Sequence, residues 1–96
     1  MAEAANAQDG VIHWAAVVGP DPARADPVLA TAVNVDGTLA VLEAVRATGA
    51  RAVCLSTATL YGRRENLQPL DEDASCDPVS VYDATKLMAE VLAGSY

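Results

Sequence analysis

The chain has 96 residues, of which 52% are hydrophobic and 20% are charged, and this composition is typical of one small globular domain rather than of a disordered segment. Six basic and thirteen acidic residues give a formal net charge of −7. That excess of acid argues against binding to nucleic acid, which needs clustered lysine and arginine, and against docking on an anionic membrane.

The sequence also argues against a membrane-spanning, secreted or metal-binding protein. No apolar run approaches the ~20 residues of a membrane span, and residues 1–9 lack the basic and apolar regions of a secretory signal. Cys54 and Cys76 form neither a disulfide framework nor a four-ligand zinc site, and His13 is the one histidine. We therefore expect a cytoplasmic protein without a metal, in which His13 packs within a strand and Cys54 lies in the core.

The first predicted element is an apolar run over residues 11–18, which follows Asp9-Gly10 and ends at Gly19-Pro20. Its length and its β-branched residues favour a strand that is buried on both faces, as in a parallel sheet. Prolines and aspartates are then mixed over residues 20–27, and this mixture predicts a loop.

Two structures compete for residues 28–48. Residues 33–39 could form a hairpin with an Asp36-Gly37 turn, which is a strong local signal. Against the hairpin, apolar residues recur at helical spacing over five turns, and Gly49 lies where a C-cap glycine belongs. The helix is therefore predicted. So few of its residues are polar that we expect it to bury two sides, one against the sheet and one against a second subunit.

Residues 52–56 predict a second buried strand. Strand, long helix and strand then form a βαβ unit with parallel strands and a right-handed crossover. Ser56 and Thr57 close this strand, and ligands of open α/β sheets bind beyond the carboxyl ends of the strands. A hydroxyl group there could hydrogen-bond a reacting substrate oxygen, or it could only satisfy backbone groups at the strand end.

The rest of the chain predicts a loop and a final helix. The loop covers residues 62–79 and holds Arg64 and a solvated acidic run, Asp71-Glu72-Asp73. The helix is expected to start near Ser80, where Ser80 and Asp83 form an approximate capping box, and to run toward the carboxyl end.

The one lysine of the chain, Lys86, lies four residues after Tyr82, and at that spacing the two side chains share a helix face. A nearby ammonium group stabilises a phenolate and lowers a pKa that is ~10 in free tyrosine, and the N-terminal end of the helix dipole acts in the same direction. Such a tyrosine can take a proton from an alcohol while a hydride leaves the carbon atom, or run the reverse. The alternative is a surface lysine beside a half-buried tyrosine.

Four motifs occur in order over residues 9–96. They are V-I-H-W-A-A at 11–16, N-V-D-G-T-L at 34–39, L-S-T-A-T-L-Y-G at 55–62 and P-V-S-V-Y-D-A-T-K at 78–86. Together they resemble the extended short-chain dehydrogenase/reductase family of NAD-dependent sugar epimerases and dehydratases, and especially its UDP-glucose 4-epimerase-like members. The resemblance implies an α/β fold with a partial Rossmann-type doubly wound parallel sheet, in which residues 1–96 form a βαβα fragment of an NAD(P)-binding domain.

The resemblance also implies roles for individual residues. Tyr82 would be the catalytic acid/base, Lys86 would lower its pKa and bind the nicotinamide ribose, and Thr57 would hydrogen-bond the substrate oxygen. Gly37 would permit close helix packing. The cofactor groove would be lined by three residues that end the first apolar run and by two on the long helix, namely Trp14, Ala15, Ala16, Val33 and Asn34.

The implied cofactor is NAD, with NADP as the alternative, and the implied substrate is a nucleotide sugar or another small alcohol or ketone. A homodimer is expected through helices 28–48 and 80–95, with no nucleic-acid or membrane partner. Two alternatives stay open. One is a reductase or a 3β-hydroxysteroid-type dehydrogenase, and the other is a non-catalytic, truncated remnant that acts only as a dimerisation module.

The chain departs from the family pattern in three ways. Its six glycines show no G-x-G spacing, so the turn that binds the dinucleotide pyrophosphate is missing. The substrate region beyond the last helix is also missing, and we expect a truncated chain with weak NAD binding, little activity and an uncovered sheet edge that lowers solubility. Asp83 replaces the family's small residue after Tyr82. Its carboxylate could raise the pKa of Tyr82, but we expect it to face outward, since successive helical residues point ~100° apart.

Overall fold

The computed structural model describes residues 1–63 and 68–96, so Arg64 of the predicted loop lies outside the described residues. Strands and helices follow one another along these two ranges, together with a π turn and a 3₁₀ turn. They are α1 (Ala2–Ala5), β1 (Gly10–His13), α2 (Pro20–Ala25), α3 (Pro27–Thr31), the π turn (Ala32–Asp36), α4 (Gly37–Thr48), β2 (Arg51–Cys54), the 3₁₀ turn (Ala58–Tyr61) and α5 (Val81–Ser95). Helix α3, the π turn and α4 join into one helical segment over residues 27–48, here called the long helix.

Strands β1 and β2 pair in parallel, with His13 opposite Cys54. The helical connection between them confirms the predicted βαβ unit and, with α5, the Rossmann-type fragment. Both strands are shorter than predicted, because the apolar run over residues 11–18 pairs only as far as His13, where Leu55 N adds a last hydrogen bond to the His13 carbonyl oxygen at 3.1 Å. An extended segment needs a neighbour to bond with, and the described chain supplies none beyond this point.

One face of the sheet is covered and the other is open. Val11 and Ala52 are half-buried on the face against which α4 packs. On the opposite face, Ile12 is 71% exposed and Val53 is 50% exposed. The prediction that the first strand is buried on both faces is therefore wrong for the described residues, since their helices lie against one side only.

The long helix confirms the helical interpretation of residues 28–48 over the hairpin alternative. It ends at Gly49, whose φ of 73° is left-handed and whose N–H donates to the Val45 carbonyl oxygen at 2.8 Å, as expected of a C-cap glycine. The apolar spacing does not predict the π turn in the middle of the helix. Such turns are frequent at functional sites.

The long helix also has the length and the composition to cross a membrane, with 22 residues and a mean hydropathy of 1.5. This finding overturns the expectation that no segment approaches the length of a membrane span. A buried core helix can share these properties, and the long helix contacts β1, β2, α1 and α5 within the fold.

Two short helices replace the loop predicted over residues 20–27. Pro20 begins α2 and Pro27 begins α3, because proline fits the first helical turn, where its missing N–H is not needed. Asp26 caps α3 by accepting a hydrogen bond from Leu29 N at 2.9 Å. These prolines therefore mark helix starts, and both helices pack against α5.

Two glycines differ in what the fold requires of them. Gly62 has a φ of 71°, and a Cβ atom there would lie 2.4 Å from the Asp77 carbonyl oxygen, so a larger residue does not fit without a shift of the backbone. A Cβ atom at Gly37 would meet only the Ala32 carbonyl oxygen at 3.8 Å, which is an ordinary contact. The implication that Gly37 is needed for close helix packing is therefore wrong for the described residues.

Candidate active site

Tyr82 lies in the first turn of α5, with its ring buried and its hydroxyl group unbonded to any described residue. The residue is 8% exposed and belongs to a core cluster with Ala23 and Ala30, against which Val17 packs. The hydroxyl group makes no hydrogen bond to any described residue, and no fully buried side-chain nitrogen or oxygen among those residues lacks a partner. The Tyr82 oxygen must therefore reach the surface, where a ligand can meet it.

Lys86 lies one turn further along α5 and reaches the end of β2. Its side chain is buried, and its Nζ donates to the Leu55 carbonyl oxygen at 2.6 Å. Burial lowers the pKa of this ammonium group, while Cys54 and Glu90 act in the opposite direction. No hydrogen bond joins Lys86 to Tyr82 among the described residues, so the influence of Lys86 on the phenol stays a prediction.

His13 and Cys54 lie side by side in the sheet, and His13 is near enough to Lys86 to be affected by its charge. The Thr38 hydroxyl group donates its one proton to the Asn34 carbonyl oxygen at 2.7 Å, so its 3.1 Å contact with His13 Nε2 must be donated by the imidazole. Burial and the charge of Lys86 lower the pKa of His13, and we therefore expect a neutral ring with its proton on Nε2 at pH 7. These contacts confirm a packed strand residue.

A chain of hydrogen bonds runs from Thr57 through Thr59 to Asp83. Thr57 Oγ1 caps the 3₁₀ turn by accepting from Thr59 N at 3.3 Å, and it lies 3.0 Å from Thr59 Oγ1. Thr59 Oγ1 in turn donates to Asp83 Oδ1 at 2.5 Å. This arrangement connects the strand-end hydroxyl group to a carboxylate in the first turn of α5.

Asp83 points inward at 3% exposure, so the expectation that it faces outward is wrong. The cause is the capping box, in which Ser80 Oγ accepts from Asp83 N at 3.0 Å and Val79 N donates to Asp83 Oδ2 at 3.2 Å. Burial acts to raise the pKa of Asp83, but hydrogen bonds from Thr59, Ser80 and Val79 outweigh it, and the pKa lies below its ordinary value.

Thr57 lines a cavity of about 510 Å³ beyond the end of β2. Two carboxylates border the same cavity, Glu72 from the exposed acidic run and Glu90 from α5. Tyr82 does not border it, and no hydrogen bond connects Thr57, Tyr82 and Lys86 among the described residues. The structure thus places the three predicted catalytic residues around the carboxyl end of β2 and the start of α5 without joining them directly.

Asn34 is buried in the π turn and connects three parts of the fold. Its Oδ1 accepts from Val17 N at 2.7 Å, and its Nδ2 donates to the Val17 carbonyl oxygen at 3.1 Å and to Thr85 Oγ1 at 2.9 Å. Both amide protons are committed within the protein, so the side chain can offer a cofactor only an acceptor. The position of Asn34 beside a cofactor stays a prediction.

The other residues predicted to line a cofactor groove lie at the end of β1 and on the long helix. Trp14 is 73% exposed directly after the strand, Ala15 is exposed and Ala16 is half-buried. Val33 is half-buried in the π turn. The described residues therefore leave the carboxyl end of β1 accessible.

Sequence reasoning missed two contacts of this region, from Thr59 to Asp83 and from Asn34 to Thr85. The pattern Ser80-x-x-Asp83 contained a signal for the first contact, because the acidic residue of a capping box turns back toward the start of its helix. The second contact joins residues 51 positions apart and had no local signal.

Comparisons with known proteins agree on one family. The model of the NAD dependent epimerase/dehydratase family matches residues 1–96. A dTDP-glucose 4,6-dehydratase of Mycolicibacterium smegmatis is 38% identical over 90 residues, which are 92% of this chain and 27% of the relative. A UDP-glucose 4-epimerase of Streptomyces lividans is 39% identical over 83 residues, which are 85% of this chain and 25% of the relative.

The fold is also shared with a solved enzyme of this kind. The crystal structure of a dTDP-glucose 4,6-dehydratase from Streptomyces venezuelae with NAD bound matches with a TM-score of 0.93 and 29% identity, over 99% of this chain and 30% of that chain. The chain thus spans less than a third of the length of these proteins. The sequence matches and the fold match point to the same family, and the chain belongs to the NAD-dependent epimerase/dehydratase family.

Proposed function

We propose that this chain supplies the catalytic acid/base and part of the nicotinamide-binding surface of an NAD-dependent nucleotide-sugar epimerase or dehydratase. One observation carries the proposal: the Tyr82 hydroxyl group has no partner among the described residues, whereas every fully buried polar side-chain atom among them has one. A hydroxyl group left unpaired on a buried ring is available to react. The relatives, a dTDP-glucose dehydratase and a UDP-glucose epimerase, support a nucleotide sugar as substrate.

The residues at the strand ends fit the nicotinamide ribose of NAD. Lys86 donates one of its three ammonium protons to the Leu55 carbonyl oxygen, and the other two can bind ribose hydroxyl groups. The end of β1 is open at Trp14, and ligands of parallel sheets bind beyond the carboxyl ends of the strands. The bound nicotinamide would accept and return a hydride, and NADP is the alternative cofactor.

Tyr82 would remove the proton from a sugar hydroxyl group while a hydride leaves the same carbon atom, which converts the alcohol into a ketone. In an epimerase, Tyr82 would return the proton to the keto oxygen as the hydride returns to the opposite face of the carbon atom. In a dehydratase, water would leave the keto sugar before the hydride returns.

Tyr82→Phe tests this role, because it keeps the buried ring and removes only the free hydroxyl group. We expect NAD⁺ binding in calorimetric titration to persist, while turnover of a nucleotide sugar falls by about 10²–10⁴-fold. The matched control is Tyr96→Phe, which removes a hydroxyl group bonded to Glu43 and should leave turnover unchanged. Undiminished turnover in Tyr82→Phe, or no NAD⁺ binding by the wild-type chain, would contradict the proposal.

We also propose that the chain forms a homodimer through the outer surface of the long helix and α5. The described residues that line a cavity of about 500 Å³ there are all apolar, and they are Val35, Pro78, Ala84, Leu87, Met88, Val91 and Leu92. Val91 is 62% exposed, and an apolar patch of this kind is stabilised when a second copy covers it. Val91→Glu should convert a dimer into a monomer in light scattering, whereas the exposed Ser95→Glu should not. A monomeric wild-type chain would refute this assignment.

A further inference from the structure

We propose that Asp83 is a positioning residue, which acts through Thr59 to fix the direction of the Thr57 hydroxyl group. In this arrangement Thr57 offers a hydrogen-bond acceptor, and not a donor, to a ligand in the cavity beyond β2. The inference rests on the proposed function, because Thr57 is the residue that would meet the reacting oxygen atom of the substrate.

The direction follows from counting protons. A threonine hydroxyl group has one proton to donate and two lone pairs that accept. A carboxylate can only accept, so the 2.5 Å bond to Asp83 Oδ1 uses the proton of Thr59. The 3.0 Å contact between the two threonine oxygens must then be donated by Thr57. Since Thr59 N occupies one lone pair of Thr57 at 3.3 Å, a single lone pair remains.

Asp83 can fix the directions of these hydrogen bonds because it is buried, ionised and held in place. It is held at the start of α5, where Val79 N donates to Oδ2 at 3.2 Å and its own N–H is bonded to Ser80 Oγ at 3.0 Å. Hydrogen bonds keep the pKa of Asp83 below its ordinary value despite burial, so the carboxylate accepts at neutral pH. Hydrogen bonds to a charged acceptor are stronger than those between neutral groups. The proton of Thr59 therefore stays directed at Asp83.

The remaining lone pair of Thr57 selects a class of ligand. Because Thr57 lines the cavity of about 510 Å³, this lone pair is what its hydroxyl group can present to a molecule bound there. A sugar hydroxyl group can donate to it, whereas a keto oxygen cannot and would face it lone pair to lone pair. The site thereby favours the alcohol form of the substrate over the ketone.

The first test needs no ligand. Thr59→Val breaks the chain of hydrogen bonds at an exposed position while it keeps the β-branched shape. Carbon-13 NMR titration should give a higher pKa for the Asp83 carboxyl group in Thr59→Val, because the carboxylate loses a donor, and Thr59→Ser should restore the wild-type value. Thr31→Val removes an exposed hydroxyl group bonded to the Pro27 carbonyl oxygen and should change nothing. An unchanged Asp83 pKa in Thr59→Val would overturn the proposal, whether or not the chain binds NAD.

The second test measures the direction of the Thr57 hydroxyl group through binding. The probes are UDP-glucose and its 4-keto derivative, titrated into Tyr82→Phe and into the double variant with Thr59→Val, so that turnover does not interfere. The preference for the hydroxyl form should fall by about tenfold in the double variant, which is the effect of one hydrogen bond. An unchanged preference would also overturn the proposal. If neither sugar binds to either protein, the proposed function fails instead, and the NMR titration still decides the role of Asp83.

Discussion

The long helix and α5 both bury polar side chains, but they use them differently. In the long helix, Asn34 and Thr38 commit all of their side-chain protons within the protein. In α5, Tyr82 keeps a hydroxyl group with no partner among the described residues, and Lys86 has donated only one of its ammonium protons. Asn34 and Thr38 of the long helix therefore hold the fold together, whereas Tyr82 and Lys86 of α5 keep hydrogen-bonding groups that a ligand can use.

This difference gives a criterion that separates structural polar residues from candidate functional ones. A buried donor or acceptor without a partner costs ~1–3 kcal/mol, so a stable fold leaves such capacity only where solvent or a ligand can reach it. Burial alone does not separate the two kinds of residue. Thr85 and Lys86 are adjacent buried residues of α5, but the Thr85 hydroxyl group has donated its proton, whereas Lys86 has ammonium protons left to donate. The criterion is instead whether a side chain has hydrogen-bonding groups that the fold leaves unused.

Removal of the Asn34 side chain should give the largest loss of stability. Asn34→Ala leaves the backbone N–H and carbonyl groups of Val17 without their partner and removes a donor from the Thr85 hydroxyl group, which keeps its bond to the Tyr82 carbonyl oxygen. We expect the free energy of unfolding in urea to fall by roughly 3–5 kcal/mol. Thr31→Ala removes an exposed hydroxyl group bonded within its own helix, and it should cost less than about 1 kcal/mol. If Asn34→Ala and Thr31→Ala lose equal free energy of unfolding, the structural role given to Asn34 is wrong.

Gly62→Ala should have the next largest effect, and it tests the turn that carries Thr59 toward α5. The substitution forces a Cβ atom toward the Asp77 carbonyl oxygen at a φ of 71°, and the expected loss is about 2–3 kcal/mol in thermal unfolding. Gly94→Ala lies in α5, where a Cβ atom would meet nothing within 4 Å, and it should stabilise the chain by about 0.5–1 kcal/mol. If Gly62→Ala is as stable as wild type, the backbone of this turn can shift away from the Asp77 carbonyl oxygen at no cost, and the prediction is wrong.

Lys86→Met should change how stability depends on pH. Burial lowers the pKa of Lys86 in the folded chain, so the unfolded chain binds more protons between that lowered pKa and the ordinary value of ~10.4, and the stability of the wild type rises with pH across this window. Lys86→Met should lack the rise. The urea series is best run in a Cys54→Ala background, because burial raises the pKa of the Cys54 thiol and gives the opposite slope. Parallel slopes in both proteins would mean that the ammonium group is not desolvated.

Tyr82→Phe should have the smallest effect on stability. Its hydroxyl group has no partner among the described residues, and phenylalanine keeps the ring in the core cluster with Ala23 and Ala30. The free energy of unfolding should therefore stay within about 0.5 kcal/mol of wild type. A loss above about 1 kcal/mol would show that the hydroxyl group is bonded in solution and would place Tyr82 with the structural residues.

The features that sequence predicted correctly are those whose causes are local. Helical spacing with Gly49 at its end predicted the long helix, and Ser80 predicted the start of α5. Pro20 and Pro27 misled because proline is common both in loops and in first helical turns, and only packing against α5 decides between them.

The errors at the site have a different origin. The ~100° step between helical residues predicted that Asp83 faces outward, but that rule applies to the helix body and not to a capping residue whose side chain turns back. The partners of Asn34 come from two distant segments, so no local pattern could predict them. Tyr82 and Lys86 could be proposed from sequence because their spacing is itself local, whereas their separate environments depend on tertiary packing.

The π turn changes the direction in which the apolar residues of the long helix point, so that its two halves can contact different elements of the fold. One additional residue in a turn rotates the side chains that follow it by ~100° relative to those that precede it. Before the turn, Ala30 shares a core cluster with Tyr82, and after it, Val41 lines the same small cavity as Val11 of the first strand. A regular helix would keep its apolar residues on one face along its whole length. The offset of one residue lets one continuous helix contact α5 near Tyr82 at one end and the sheet at the other, with Asn34 in the turn between them.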